Sequence, residues 1–457
     1  MKLVLTLVPI LRSRDVEPSD QLSAAREIAR ALRAQGKQAY FVGGCVRDLL
    51  LGRQPKDFDI VTDARPAEVT ALFPGSNLVG AHFGVVLVRW GFETIEVATF
   101  RSDGAYSDGR HPDDVVFETD PAKDVLRRDF SINALLFDPF TEEVVDHVGG
   151  RADLDAGVIR AIGVPQRRFE EDHLRLLRAI RFAARFGFLI EPATFSAMRE
   201  LAPSIHSVSP ERTRDELARI LTEGGARRGF ELLDSTGLLH ELLPEIERMK
   251  GVAQPPQFHP EGDVWIHTLL MLEGLPPDST LELALGVLLH DVGKPPTFRI
   301  ADRIRFDGHP EVGVKIARAI LERFRFPNDT IDQALALVAN HMRFMNAPQM
   351  SSSTLKRFLR MERFDEHLAL HRLDCLGSNG RLSTWEFISG KVAELPAEAL
   401  RPARLLTGED LIAAGYKPGP RMKVILTAVE DAQLEGTIHS REEALVLVRA
   451  RFTEPSL

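Results

Sequence analysis

The chain has 457 residues, of which 44% are hydrophobic and 27% charged, with a net charge of −9. That length is too great for one compact domain and points to about three. The acidic balance excludes a uniformly basic nucleic-acid coat while leaving room for a local basic groove. Two cysteines, Cys45 and Cys375, cannot build a disulfide framework, and no CxxC occurs, which fits a reducing compartment and a cytoplasmic location.

The opening "MKLVLTLVPIL" is apolar over about ten residues and runs into the charged "RSRD". It is too short to span a bilayer, so residues 1–24 are expected to be an N-terminal extension, without membrane contact. "SDQLSAAREIARALRAQGK" has the periodicity of a capped amphipathic helix stopped at Gly36, and "QAYFVGG" continues as a strand. The runs "DFDIVTD", "SNLVGAHFGVVLVRW" and "ETIEVATFR" alternate as strands around a helix at "RPAEVTALF". They predict an α+β head with a small mixed sheet over 25–150. Within it, "SDGAYSDGRHPDDV" has no period and is expected to be a mobile loop. Strands nearly vanish after Asp153. Helical patterns then predict all-α regions: a neck over 151–250, a second helical region over 251–378 and a tail over 379–457, with "KGVAQPPQFHPEGD" as a linker.

Two aspartates, Asp57 and Asp59, fall two apart in "DFDIVTD". On a strand they point the same way, and converging carboxylates suit Mg²⁺, which prefers oxygen ligands. Two such ions can activate an attacking hydroxyl and stabilise a leaving pyrophosphate. Upstream, Gly43 and Gly44 allow backbone N–H groups to approach a phosphate at a helix N-terminus. Arg47 falls in that helix's first turn, within reach of a triphosphate oxygen. Glu96, on another predicted strand, is the best third carboxylate.

"GGCVRDLLLGRQPKDFDIVT", "IEVATFRSDGAYSDGRHP", "RRDFSINALLFDP" and "EEDHLRLLRAIRFAARF" occur in this order. Together they resemble the class II tRNA nucleotidyltransferase (CCA-adding enzyme) and bacterial poly(A) polymerase family, within the polymerase-β-like superfamily, over roughly residues 25–235. The resemblance implies a polymerase-β-like catalytic head, a helical neck that reads the incoming base, and helical regions that hold RNA. It also implies that Arg128 touches the nucleotide and that Asp129 organises the site. From the residues alone, Asp129 reads equally well as half of a structural ion pair.

Asp172 and Arg175 are three apart in a helical pattern and are expected to be neighbours. A carboxylate only accepts hydrogen bonds and a guanidinium only donates. Cytosine and adenine each place an amine beside a ring-nitrogen acceptor, whereas guanine and uracil place a carbonyl where that amine would be. The pair therefore matches C and A, and a mismatch leaves buried polar groups unpaired at roughly 1–3 kcal/mol each. Arg178 and Arg181 continue the spacing, turning about 60° per step, and are expected to meet ribose or phosphate.

Further on, "WIHTLLML" supplies His267, "LALGVLLHDVGKP" His290 and Asp291, "FDGHPEVG" His309, "LVANHMRF" His341 and "HRLDCLGSNG" Asp374. This order resembles the HD phosphohydrolase superfamily. The resemblance implies a metal on His267, His290, Asp291 and Asp374, with His309 and His341 taking a second metal or a phosphate. Imidazole and carboxylate together suit a transition metal such as Mn, Ni, Fe or Zn. Such a centre would trim a phosphate or a 2′,3′-cyclic phosphate from a damaged RNA end.

The expected activity is addition of C and A to the 3′ end of tRNA from CTP and ATP, with Mg²⁺ at the head and no obligate protein partner. The nucleotide contacts would be Gly44, Arg47, Arg128, Asp172, Arg175, Arg178 and Arg181, and catalysis would rest on Asp57, Asp59 and Glu96. An A-only adding enzyme or a poly(A) polymerase shares these motifs. The same residues also leave open an HD phosphohydrolase with a structural head, and a non-catalytic RNA-binding protein.

Overall fold

The computed structural model describes residues 20–79, 83–106, 109 and 112–452. The expected N-terminal extension lies outside the described residues as far as residue 19. The chain forms two compact units, 1–244 and 245–457.

The first unit begins with the helix Asp20–Ala34, whose Leu22, Ala25, Ile28, Ala29 and Leu32 are buried at helical spacing. Gly36 follows at φ 74°, a left-handed position that glycine adopts without a Cβ clash. The strands are β1 (Ala39–Val42), β2 (Asp59–Thr62), β3 (Asn77–Val79), β4 (Val85–Trp90), β5 (Glu93–Thr99), β6 (Arg101–Asp103), β7 (Val115–Phe117), β8 (Leu136–Phe137) and β9 (Val144–Val145). Seven of them form a mixed sheet in the order β3-β4-β5-β2-β1-β8-β9. Only β2 and β5 run parallel; the other pairings are antiparallel. Alternation along the strands divides the residues between two faces. Phe41, Ile60 and Val97 are fully buried on one face, and the Asp20–Ala34 helix packs against β1, β2 and β5. On the other face Val42, Val61 and Leu136 cluster with Phe100, Val125, Ala134 and Ile162. Truncating a fully buried Phe such as Phe41 to Ala costs about 3–5 kcal/mol, so this core holds the strand register rigidly.

The polar segment after β5 is more ordered at its ends than its composition predicts. β6 and β7 pair antiparallel, Arg101 opposite Phe117, Ser102 opposite Val116 and Asp103 opposite Val115. Ladder hydrogen bonds compensate for its weak apolar pattern. Residues 107, 108, 110 and 111 of that loop lie outside the described residues.

The neck helices include Pro165–Glu171, Leu174–Phe186, Pro210–Thr222 and Ala226–Ser235. At Gly225 an added Cβ would stand 2.3 Å from the Ala184 carbonyl oxygen, and its φ is 74°. The Leu174–Phe186 and Ala226–Ser235 helices approach closely there, and only glycine fits. The expected single helix through "EEDHLRLLRAIRFAARF" is broken, because Asp172 has extended φ/ψ of −155° and 104°.

In the second unit the helices Val264–Glu273, Leu281–Leu289, His309–Arg323, Asn328–Asn340 and Phe364–Gly377 carry the histidines and aspartates of interest. The Leu281–Leu289 helix is almost wholly buried. A Cβ on its Gly286 would come within 2.7 Å of Leu337, so it lies close against the Asn328–Asn340 helix. Each of these two helices ends in a histidine C-cap, His290 and His341, and the close packing brings the two rings to 5.4 Å. Toward the C-terminus, Leu411, Tyr416, Ile425, Val429, Ala444 and Val448 form a small core of their own. No helix among the described residues is long and apolar enough to cross a membrane.

Candidate active site and metal centre

Asp59 is the first residue of β2 and lies directly opposite Glu96 on the parallel neighbour β5. Their side chains therefore emerge side by side on one face. Asp57 precedes the strand, rather than belonging to it, and is exposed. Burial raises Asp59 to about 6; the nearby Glu96 and, less strongly, Asp57 push in the same direction against Arg128. This excess of negative charge, carried by oxygen donors, fits a divalent cation. The three carboxylates do not close to mutual ligand distance: among the described residues, every triad whose ligand atoms lie within 4.8 Å of one another falls in the second unit.

A cavity of about 570 Å³ opens beside Asp59, large enough for a nucleotide. It is lined by the Gly43–Gly44 turn, Arg47, Arg128, Asp172, Arg175, Arg178 and Arg181. All seven sequence-predicted nucleotide contacts thus share one space with Asp59. Gly43 sits at φ 77° and ψ −131°, a backbone region open to glycine alone. Arg128 pairs with Asp124 at 3.0 Å, and its Nε is buried without a hydrogen-bond partner. That leaves a donor in a site suited to anions.

The other arginines are more committed than their spacing suggests. Arg47 is buried, donates to Asn133 Oδ1 at 2.6 Å and Asp48 Oδ1 at 2.9 Å, and lies against Phe182 and Phe186. Arg178 is held by Asp129 at 2.6 Å and Arg181 by Glu216 at 2.7 Å. These two were expected to meet ribose or phosphate; both border the cavity and also join chain segments through carboxylate partners. Asp129 borders the cavity and is also paired with Arg178. Burial opposes its charge, yet Arg178 and Asn133 hold its carboxyl well below the usual carboxylate range.

Asp172 and Arg175 do not lie on one helix, and it is their backbones that bond, the Arg175 amide donating to the Asp172 carbonyl at 3.0 Å. Asp172 Oδ1 accepts from the Leu174 amide at 3.1 Å, which helps to start the next helix. Its Oδ2 accepts from Arg212 at 2.7 Å. Arg175 donates to Glu171 at 2.5 Å and to the Arg168 carbonyl at 2.8 Å. Both still border the cavity. Arg212 was not singled out from sequence, since "SPERTRDELARILTE" looks like an ordinary charged helix.

In the second unit, the six expected residues divide into two triads. His267, His290 and Asp374 form one; Asp291, His309 and His341 form the other. Asp291 stands between them. Its Oδ2 is 3.1 Å from His290 Nε2 and its Oδ1 is 3.5 Å from His309 Nε2 and 3.8 Å from His341 Nε2. The buried Nε2 of His267 lies 3.2 Å from Asp374 Oδ1, and the buried Oδ2 of Asp291 also meets Lys294 Nζ at 2.6 Å. Imidazole and carboxylate ligand atoms gathered this closely fit a metal ion. Burial disfavours a charged His267, but Asp374 and Glu261 overcome it and raise the imidazole to about 9. Burial, reinforced by His290, pushes His341 down to about 3. A third triad joins His267 to His259 and Glu261, which come from the stretch that reads as a linker.

Comparison with known proteins places these sites in context. Residues 39–160 match the "Poly A polymerase head domain" family, 187–250 the family described as "Probable RNA and SrmB- binding site of polymerase A", and 263–376 the "HD domain" family. A CCA-adding enzyme from Geobacillus stearothermophilus is 30% identical over 92% of this chain and 94% of its own. The chain belongs to the class II tRNA nucleotidyltransferase and bacterial poly(A) polymerase family. A CC-adding tRNA nucleotidyltransferase from Thermus thermophilus is 35% identical over 89% of this chain and 92% of its own. The solved Bacillus stearothermophilus CCA-adding enzyme in complex with CTP superposes with a TM-score of 0.73 at 27% identity, covering 95% of this chain and 98% of that one. Other curated relatives match over shorter stretches, and the chain spans 54–65% of their length. The polymerase-β-like head with a mixed sheet and a helical body are as the resemblance implied.

Proposed function

We propose that this protein adds C and A to the 3′ end of tRNA from CTP and ATP without a nucleic-acid template. The observation that carries this is the single cavity bringing Asp59, the Gly43–Gly44 turn and Arg128 together with Asp172 and Arg175. Asp57, Asp59 and Glu96 hold Mg²⁺, which when bound supplies charge neutralisation for the attacking oxygen and the departing pyrophosphate. Gly44 and Arg128 hold the triphosphate, with Arg47, Arg178 and Arg181 shaping the wall behind it. Asp172 and Arg175 face the base, and the 3′-hydroxyl of the RNA attacks the α-phosphate, releasing pyrophosphate. The division into head 25–150, neck 151–250, HD region 251–378 and tail 379–457 belongs to this proposal, as does a cytoplasmic location, where reduced thiols persist and tRNA is found.

The HD region holds a transition metal and removes terminal or cyclic phosphates from damaged RNA ends. The two clustered triads support the metal; the reaction is tested by offering Mn²⁺- or Ni²⁺-loaded protein a 2′,3′-cyclic phosphodiester.

A second reading is favoured by the Thermus relative: addition of two C residues only. The deciding experiment supplies tRNAs lacking one, two or three terminal nucleotides with each NTP separately. Incorporation of C, C and then A supports full CCA addition, and a stop after the second C supports the narrower activity. Processive A addition to any RNA would make the chain a poly(A) polymerase. Asp57→Ala and Asp59→Ala should each lower kcat/KM by about 10³-fold or more, worth about 4 kcal/mol. Undiminished incorporation would overturn the assignment of these carboxylates.

A further inference from the structure

The stretch 250–263, which reads as a linker, is built into the metal centre. Its ends are tied together: Ala253 bridges to Asp263, the Val264 amide donates to the Val252 carbonyl at 3.1 Å and the Gly251 amide to Asp263 at 2.6 Å. Between these ties, two polar side chains turn inward and are buried. Gln254 is 4% exposed and accepts from Lys294 Nζ at 2.6 Å. The same Nζ lies 2.6 Å from Asp291 Oδ2. Glu261, with its side chain 7% exposed, places Oε1 2.8 Å from His267 Nδ1 and 2.8 Å from His259 Nδ1.

We propose that Glu261 and Gln254 are positioning residues of this metal centre, bracing His267 and Asp291 from opposite sides of the ligand set. A carboxylate against Nδ1 holds the imidazole proton there, which leaves the Nε2 lone pair for a metal and fixes the ring's rotation. The Nε2 of His267, buried and 3.2 Å from Asp374 Oδ1, is the atom so directed. On the other side, Gln254 gives Lys294 a second fixed partner, so the ammonium holds Asp291 Oδ2 while Oδ1 faces His309 and His341. A linker needs neither contact. This inference rests on the reading that the second unit binds a metal.

The test titrates Zn²⁺ into the metal-free full-length protein and its Glu261→Ala, Glu261→Gln and Gln254→Leu variants by calorimetry, alongside their unfolding midpoints in EDTA. The expected result is affinity about 10- to 100-fold weaker for Glu261→Ala, partly recovered in Glu261→Gln, whose amide oxygen still accepts, and weakened in Gln254→Leu, with midpoints in EDTA near that of the unmodified chain. Unchanged affinity in Glu261→Ala, or loss of affinity only in step with loss of the folded state, overturns the inference. Absence of Zn²⁺ binding by the unmodified protein overturns the metal reading itself and is distinguishable from both. A second measurement needs no variant: long-range ¹H–¹⁵N correlation on the Zn²⁺-loaded protein should show His267 protonated at Nδ1 and metallated at Nε2. The opposite tautomer overturns the proposal.

Discussion

Arg178 directs two donors, Nε at 2.8 Å and Nη2 at 2.6 Å, onto one oxygen of Asp129. The other oxygen of that carboxylate accepts from the Phe130 amide at 2.7 Å and Asn133 at 3.1 Å. The pair joins the segment after the Pro121–Leu126 helix to the neck helix Leu174–Phe186. Removing Asp129 leaves the half-buried Arg178 with only the more distant Glu216, at 4.0 Å, as an ion-pair partner. Asp129→Ala should therefore destabilise the first unit by about 3 kcal/mol, read as a lower urea midpoint. Because the folded carboxyl is held below its ordinary range, its contribution is present above about pH 4 and lost on acidification below that. The deficit of Asp129→Ala should shrink accordingly in acid.

Asp59 carries the opposite shift. Its folded carboxyl titrates near pH 6 against 3.8 for the unperturbed group, so the folded state holds the proton more tightly. As pH rises from about 4 to 6 this group should cost the metal-free protein about 3 kcal/mol of stability. Asp59→Asn removes that cost. The variant should be more stable than the unmodified protein at pH 7 in EDTA, equally stable near pH 4, and inactive. Mg²⁺ competes with the same proton, so the Mg²⁺ concentration for half-maximal incorporation should rise as pH falls through 6. Calorimetric scans across this range and Mg²⁺ titrations of incorporation check both.

Arg212 holds Asp172 from the helix Pro210–Thr222. Loss of that grip frees the carboxylate to rotate while leaving the triphosphate contacts in place. Arg212→Ala should reduce discrimination of CTP over UTP by about tenfold, the effect of roughly 1.4 kcal/mol. Competition assays with both nucleotides measure it. A loss of rate that is equal for both would point to folding instead.

Metal should stabilise the second unit measurably. Binding at 100 times the dissociation constant adds about 2.7 kcal/mol. Zn²⁺ or Mn²⁺ should raise the unfolding midpoint of the chelator-treated protein. His290→Ala, which removes a nitrogen of the His267–His290–Asp374 triad, should abolish most of that rise.

The order of motifs, the identities of the carboxylates and histidines, and most helix and strand segments were legible in the sequence, because period, glycine turns and ligand chemistry are local properties. His290 at the end of a buried helix and the strand holding Asp59 are both of this kind. The tertiary structure alone decided which groups face one another. It set Asp59 beside Glu96 through the parallel pairing of β2 and β5, broke the neck helix at Asp172, and gave Arg178 and Arg181 carboxylate partners 49 and 35 residues away. It also turned inward the Gln254 and Glu261 side chains of a Pro- and Gly-rich stretch, onto Lys294 and His267. A charged side chain takes its partner from whatever elements the core packs against it, and that choice depends on contacts distant in sequence, which no local pattern records.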